Sequence, residues 1–293
     1  MDKVVTGRFF RVTGAPQGVP DLPDVLLSIG RLPSALQRFR RLDGGVTLGL
    51  EHCVEEGQFV CGDVYRQQTE NIPPMSGPAG LTELALREGH GIGHPVAFRF
   101  HRPTRVILLQ HNSQAVSHAR LPAYVAAENP QAIYALSPVL RRDAIDRLMN
   151  KRVREFQIRF ASPRNLEALD EAGVAAAEGV RRMAELFQAN SLTVTVSVGK
   201  SKKKFLDGNI VMQTINALLP MDGLKRLKAK PEGDEESVNL LKEHLKESEE
   251  LTFPTNDYNE GYKVRKDFLA RVFHNNMAYL NAQFGPRPDD NSG

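Results

Sequence analysis

The sequence predicts an α+β protein: a β-rich N-terminal domain over 1–129, an α+β domain over 130–285 with an open sheet and a long C-terminal helix, and a disordered tail over 286–293. Three observations carry this prediction. Short strand-like runs punctuated by turn residues fill the first part, the pattern of a β-meander. From about Gln131, strands with one apolar and one polar face alternate with helical stretches. Near the end, apolar residues from Phe268 to Leu280 recur at helical spacing.

The elements follow in order. Strands are expected at Gly7 to Val12, Val46 to Val54, Gln58 to Tyr65, Val96 to His101 and Arg105 to His111. Glu55-Glu56-Gly57 makes a tight hairpin between the second and third of these, Gly57 supplying the positive φ. That hairpin brings Cys53 and Cys61 near each other, as reduced hydrophobic filler or as a redox pair. Ile72-Pro73-Pro74 and Ser76-Gly77-Pro78 read as an exposed loop, since proline cannot donate to a central ladder. A helix from Ser113 to Ala127 closes the section.

In the second part Phe156, Ile158 and Phe160 alternate with polar residues, as do Leu192, Val194, Val196 and Val198. Strands of a doubly wound parallel sheet would be apolar on both faces, so the alternation argues for helices on one side only. Helices are expected at Val174 to Gln188, at Asp207 to Leu219 with Asp207 as N-cap, at Glu235 to Lys246 and at Glu260 to Phe284. In the last, Phe268, Leu269, Val272, Phe273, Tyr279 and Leu280 share a face that reads as core or, on a terminal helix, as a dimer seam.

Composition narrows the class. The 293 residues suit two domains, and a 41% apolar, 25% charged chain is neither collagen-like, coiled-coil nor low-complexity. Two cysteines cannot build a disulfide scaffold or a four-cysteine zinc site, which fits a reducing compartment. Met1 to Val12 has no apolar signal core and no run of about 18 uncharged apolar residues occurs, so a cytoplasmic protein without direct membrane insertion is expected. A net charge of +3 identifies no partner by itself, so any electrostatic argument rests on clustering.

The sharpest local signal is Val198-Gly199-Lys200-Ser201-Lys202-Lys203-Lys204, between a strand and a helix. A phosphate-binding P-loop needs a glycine five residues before Gly-Lys-Ser; here that residue is Val194, in mid-strand, and the match fails. What remains is a compact positive cluster. From Gly199 to Lys230, Lys200, Lys202, Lys203, Lys204, Lys225, Arg226, Lys228 and Lys230 face only Asp207 and Asp222. A second group, Arg141, Arg142, Arg147, Lys151, Arg152, Arg154 and Arg159, is opposed by Asp143, Asp146 and Glu155. Glu232 to Glu250 then reverses sign, with eight acids against Lys242 and Lys246.

Either basic run alone reads as a solvated face; together they suit a stripe that follows a phosphate backbone. The polar strand faces offer Gln157, Thr193, Thr195 and Ser197 rather than stacking aromatics, so the expected contact is with duplex phosphate and little base reading. The DNA-binding residues expected are Lys200, Lys202, Lys203, Lys204, Lys225, Arg226, Lys228, Lys230, Arg141, Arg142 and Arg152. His90 and His94 have metal-compatible spacing but flank Gly91 and Gly93, a poor preorganised frame, so no metal site is expected. No nucleophile elbow or metal-dependent nuclease signature occurs, so neither a catalytic residue nor a cofactor is expected.

Several features together resemble a known group. They are the hairpin ending Gly62-Asp63-Val64-Tyr65-Arg66, the Ile72-Pro73-Pro74 loop, and Phe98-Arg99-Phe100 before Val106-Ile107-Leu108-Leu109-Gln110-His111-Asn112. With the strand-helix second half and the long terminal helix, this order is similar to the RexA-like phage-exclusion proteins and the KwaB-type subunits of the Kiwa anti-phage system. The resemblance implies a cytoplasmic homodimer that binds double-stranded DNA without catalysis and with little sequence preference, acting in phage exclusion or abortive infection. It also implies a membrane-protein partner subunit. The alternatives are a protein-interaction subunit of a defence complex and a diverged nuclease.

Overall fold

In the computed structural model the described residues are all except 15–17, 79, 129–130, 132, 162–181, 183–185, 202, 220–223, 256 and 287–293. The chain divides into two compact units: Met1–Leu136 with Lys246–Gly293, and Ser137–Leu245. The second unit is thus an insertion within the first.

The first pass through the first unit runs β1 (Asp2–Thr13), α1 (Leu22–Gly30), α2 (Ala35–Arg38), β2 (Arg40–Arg41), β3 (Thr47–Glu56), β4 (Phe59–Gln68), the short pair β5 (Met75–Gly77) and β6 (Gly80–Thr82), β7 (Ile92–His101), β8 (Val106–His111), α3 (Arg120–Ala126) and β9 (Ala135–Pro138). The turn between β3 and β4 has Gly57 at φ +61°, a value that side chains with a Cβ resist. The proline-rich stretch is exposed as expected, but it carries the β5–β6 ribbon. The helix expected from Ser113 begins only at Arg120. Asn112 explains the delay: its side-chain oxygen accepts from the Gln114 N–H and its carbonyl from Ala115, a local turn that competes with helix.

The inserted unit contains α4 (Arg142–Asn150), β10 (Val153–Ala161), β11 (Ser191–Ser197), α5 (Gly208–Leu218), β12 (Leu224–Pro231) and β13 (Val238–Asn239). Its four strands pair antiparallel in the order β11-β10-β12-β13. Phe156, Ile158, Phe160, Leu227 and Ala229 form one face and are buried with Leu148 of α4 and Val211, Ile215 and Leu218 of α5. Among the described residues, the helices of this unit, α4 and α5, both cover this apolar face, as the alternation predicts. Asp207 caps α5 by accepting from the N–H groups of Asn209 and Ile210.

One expectation is corrected here. Glu235 to Lys246 is not a helix: Val238 and Leu240 are buried with half-buried Asn239 between them, the two-residue period of an extended chain. The expected helix Val174 to Gln188 lies almost wholly outside the described residues. The chain leaves the inserted unit beside the segment by which it came in: Leu140 bridges His244, and Arg141 N–H donates to the Glu243 carbonyl at 2.8 Å.

Back in the first unit, β14 (Lys246–Thr252) pairs antiparallel with β1, and α6 (Tyr258–Phe284) follows. The large sheet has eight strands in the order β14-β1-β8-β7-β4-β3-β2, with β9 also on β1. One face is covered by α1 and α3, whose Leu22, Leu26, Leu121 and Tyr124 join Phe10, Leu48, Val60 and Phe98 in a continuous core. The other takes α6. Phe268, Leu269, Val272, Phe273 and Leu280 are buried, and the Phe273 ring stands 5.5 Å from Phe9 and 5.3 Å from Phe59. Gly7 permits this approach, because a Cβ there would lie 2.9 Å from Leu108 and 3.5 Å from Leu269. The terminal helix thus belongs to the first unit rather than to the second domain in which the sequence places it, and its apolar stripe is that unit's own core.

Candidate nucleic-acid interface

The other face of the inserted sheet, which neither α4 nor α5 covers, is polar. Register sets its rows: Ser197, Glu155 and Lys230 stand side by side; then Thr195, Gln157, Lys228 and Asn239; then Thr193, Arg159 and Arg226. The middle rows are tied together, Arg226 donating to the Gln157 side-chain oxygen at 3.3 Å and Gln157 donating to Thr195 Oγ1 at 3.2 Å. A register shift between Arg159 and Phe160 leaves Lys225 without a direct partner and fully exposed. No aromatic ring lies in these rows.

The lysine loop extends one end of this face. Val198 N–H donates to the Arg154 carbonyl, and the Arg154 guanidinium donates to the Ser201 carbonyl at 2.7 Å and the Gly199 carbonyl at 3.3 Å. Those bonds pin the loop to the start of β10, the end where Ser197, Glu155 and Lys230 align. Gly199 takes φ +59° in the turn. Lys200, Lys203 and Lys204 are exposed; Lys202 lies outside the described residues. Arg152 joins the same end, its guanidinium 4.6 Å above the Phe205 ring. Among the described residues, no carboxylate lies within ion-pair distance of Lys200, Lys203, Lys204, Lys225, Arg226, Lys228 or Lys230.

The remaining arginines expected in the interface are elsewhere. Arg141 binds Asp143 at 2.6 Å and approaches Glu243 at 3.8 Å, and Arg142 approaches Asp146 at 3.7 Å. Both stand at the start of α4, on the layer that covers the apolar face. Arg147 and Lys151 share Asp234 at 2.7 and 2.6 Å, and these two cations hold its carboxyl below the usual range. The structure therefore brings together the loop lysines, Arg152 and the β12 cations, and sets Arg141 and Arg142 apart.

Strand β12 is what sequence reasoning missed. Leu227 and Ala229 are buried at alternate positions, but the cations between them mask the alternation and read as a charge run. In the first unit, burial raises the Cys53 thiol to about 12 and the Cys61 thiol to about 11, so both remain protonated at neutral pH and the filler reading holds over the redox pair. His90 and His94 meet the Glu88 carbonyl at 3.0 Å and the Gln68 side chain at 2.7 Å. Among the described residues, no three metal-ligating side chains converge, and no helix is long and apolar enough to cross a membrane.

The class these features define is an α+β protein with two main open sheets, the smaller formed by the inserted segment and carrying a polar face rich in lysine and arginine. The chain belongs to DUF6731, a family of unknown function, whose model matches residues 64–282, from within β4 to near the end of α6. No curated protein matches it.

Proposed function

We propose that this protein binds double-stranded DNA non-catalytically and with little sequence preference, through the lysine loop and the polar face of the inserted sheet. The observation that carries the reading is the gathering of Lys200, Lys203, Lys204, Arg152, Arg226, Lys228 and Lys230 on one face and its end, with no carboxylate among the described residues in ion-pair distance of any of these except Arg152. Exposed lysines exchange counterions for phosphate oxygens at little folding cost. The absence of rings from the rows argues against base stacking and for backbone contact. A cytoplasmic role in anti-phage defence, as a homodimer beside a membrane-protein subunit, is supported by the order of sequence features described above.

The test is a salt titration on two duplexes of unrelated sequence. If roughly six phosphates are neutralised, affinity falls about a thousandfold between ~50 and ~200 mM salt. Changing Lys200, Lys202, Lys203 and Lys204 to glutamine is expected to lower the log–log slope by about two to four on both duplexes, with thermal stability nearly unchanged. Arg226→Gln with Lys228→Gln and Lys230→Gln acts in the same direction. Arg141→Gln with Arg142→Gln changes the slope little, because those guanidinium groups are already paired on the helix layer. No binding by the unaltered protein at low salt, or an unchanged slope in the lysine variant, rejects the reading.

A further inference from the structure

A second cationic site lies in the first unit, and it is concave. Arg8 on β1 stands opposite Leu109 of β8 on one side and opposite Lys246 of β14 on the other. Two residues back along β1, Thr6 faces His111, so Arg8 and His111 occupy the same surface of the sheet. The chain after His111 then turns over this surface through the Asn112 turn and returns at His118, which stacks on the Phe10 ring at 4.9 Å and 13°. Between strands and turn is a cleft of about 240 Å³ whose lining includes Arg8, His111, Asn112, Ser113, Ser117 and His118.

The guanidinium in this cleft lacks an acidic partner among the described residues, and the Arg8 Nε is buried without a hydrogen bond. Burial lowers the pKa of Arg8. His111 is lowered too, first by burial and then by the positive charges of Arg8, Lys246 and His118. Among the described residues, no carboxylate lines the cleft. Of the acids of β14, Glu247 accepts from Asn276 and Glu249 pairs with Arg271, both on α6 across the sheet, while Glu250 shares the face of Arg8 but stands four residues along the strand, opposite Val4. A half-buried guanidinium with an unbonded Nε, set beside the His111 imidazole and Lys246 with no carboxylate lining the cleft among the described residues, leaves a place for an anion.

We propose that this cleft binds a small tetrahedral oxyanion of the phosphate class, inorganic phosphate or the phosphate group of a small monoester. The guanidinium fork of Arg8 matches two oxygens of such a group, and Lys246 adds a flexible point charge at the rim. Hydroxyl and amide donors of Ser113, Ser117 and Asn112 remain for the other oxygens. The cleft is smaller than the ~300 to 1,000 Å³ pockets that hold drug-sized ligands, so it suits a phosphate with a few carbons. The proposal is independent of DNA binding, which uses the inserted unit.

The experiment is isothermal titration of the full chain with inorganic phosphate and, separately, with glycerol phosphate, ionic strength being held with chloride. Saturable binding at millimolar or lower concentration is expected. Arg8→Gln is expected to weaken it at least about tenfold, and Lys246→Gln about two- to fourfold, each read alongside a circular-dichroism melt. Lys246 is exposed, so its variant keeps the test valid if Arg8→Gln fails to fold. Equal affinity for both ligands places recognition in the phosphate alone; tighter glycerol phosphate extends it to the carbons, and either outcome supports the site. Absence of saturation at ~10 mM phosphate, unchanged binding in a folded Arg8→Gln protein, or loss of phosphate binding in the glutamine variant of the lysine loop would overturn it.

Discussion

Asp63 is fully buried on β4, where its carboxylate accepts from Arg265 at 2.5 Å and from the Tyr258 hydroxyl at 3.0 Å, both residues of α6. Burial raises its pKa, opposed by Arg265 and by the Tyr258 bond. One carboxylate oxygen and the Arg265 Nε are left without a partner, so the pair fixes where α6 lies more than it stabilises. Removing one partner strands a buried charge. Asp63→Ala or Arg265→Ala is expected to cost about 3 to 5 kcal/mol, whereas replacing both by apolar residues of similar volume costs far less; urea unfolding of the three proteins measures this. The sequence could not reveal the pair, because 202 residues separate its members and each looks like an ordinary surface charge. What it did reveal at this scale were residues whose meaning is local: Gly57 in its turn and Asp207 at its cap.

Among the elements, legibility followed the range of the interaction. The alternation of Phe156, Ile158 and Phe160 against Gln157 and Arg159 announced a sheet covered on one side, and α4 with α5 covers it. The stripe on α6 announced a buried helix but could not say against what. Its partners, β1, β4 and β7, are supplied by the other end of the chain. Phe268 and Phe273 are fully buried in that contact. Phe268→Ala is expected to lower unfolding free energy by about 3 to 5 kcal/mol through lost burial and a residual cavity. Exposed Ile210 of α5, changed to alanine, serves as the comparison and is expected to stay within about 0.5 kcal/mol. If both variants unfold at the same urea concentration, the stripe is not core. Strand β14 escaped the sequence because Lys246, Glu247, Glu249 and Glu250 look like a solvated helix, yet charge is also how an edge strand resists pairing with a stranger.

For the whole molecule, the chain's path matters as much as its layers. Residues 137–245 hold their own core and leave through a neck closed by Leu245 N–H on the Val139 carbonyl at 2.7 Å. Expressed alone, that segment is expected to unfold in one cooperative urea transition and to retain salt-sensitive DNA binding; a non-cooperative melt would show that it depends on the rest of the chain. The expected boundary at 129 came close to the first crossing into the insertion, but nothing local marks Lys246 as the return, since its strand is defined by pairing with residues at the opposite terminus. That same pairing imposes a timetable on biosynthesis. A ribosome adding roughly 5 to 20 residues per second delivers β14 some ~10 to 50 seconds after β1 has emerged. Until then the first strand waits with the side that β14 will take open, and by the end of that interval every described strand of the inserted unit has been made. Strand β1 is therefore completed only long after its own translation, and a chain halted before Lys246 exposes the flank of β1 that nascent-chain chaperones would have to shield.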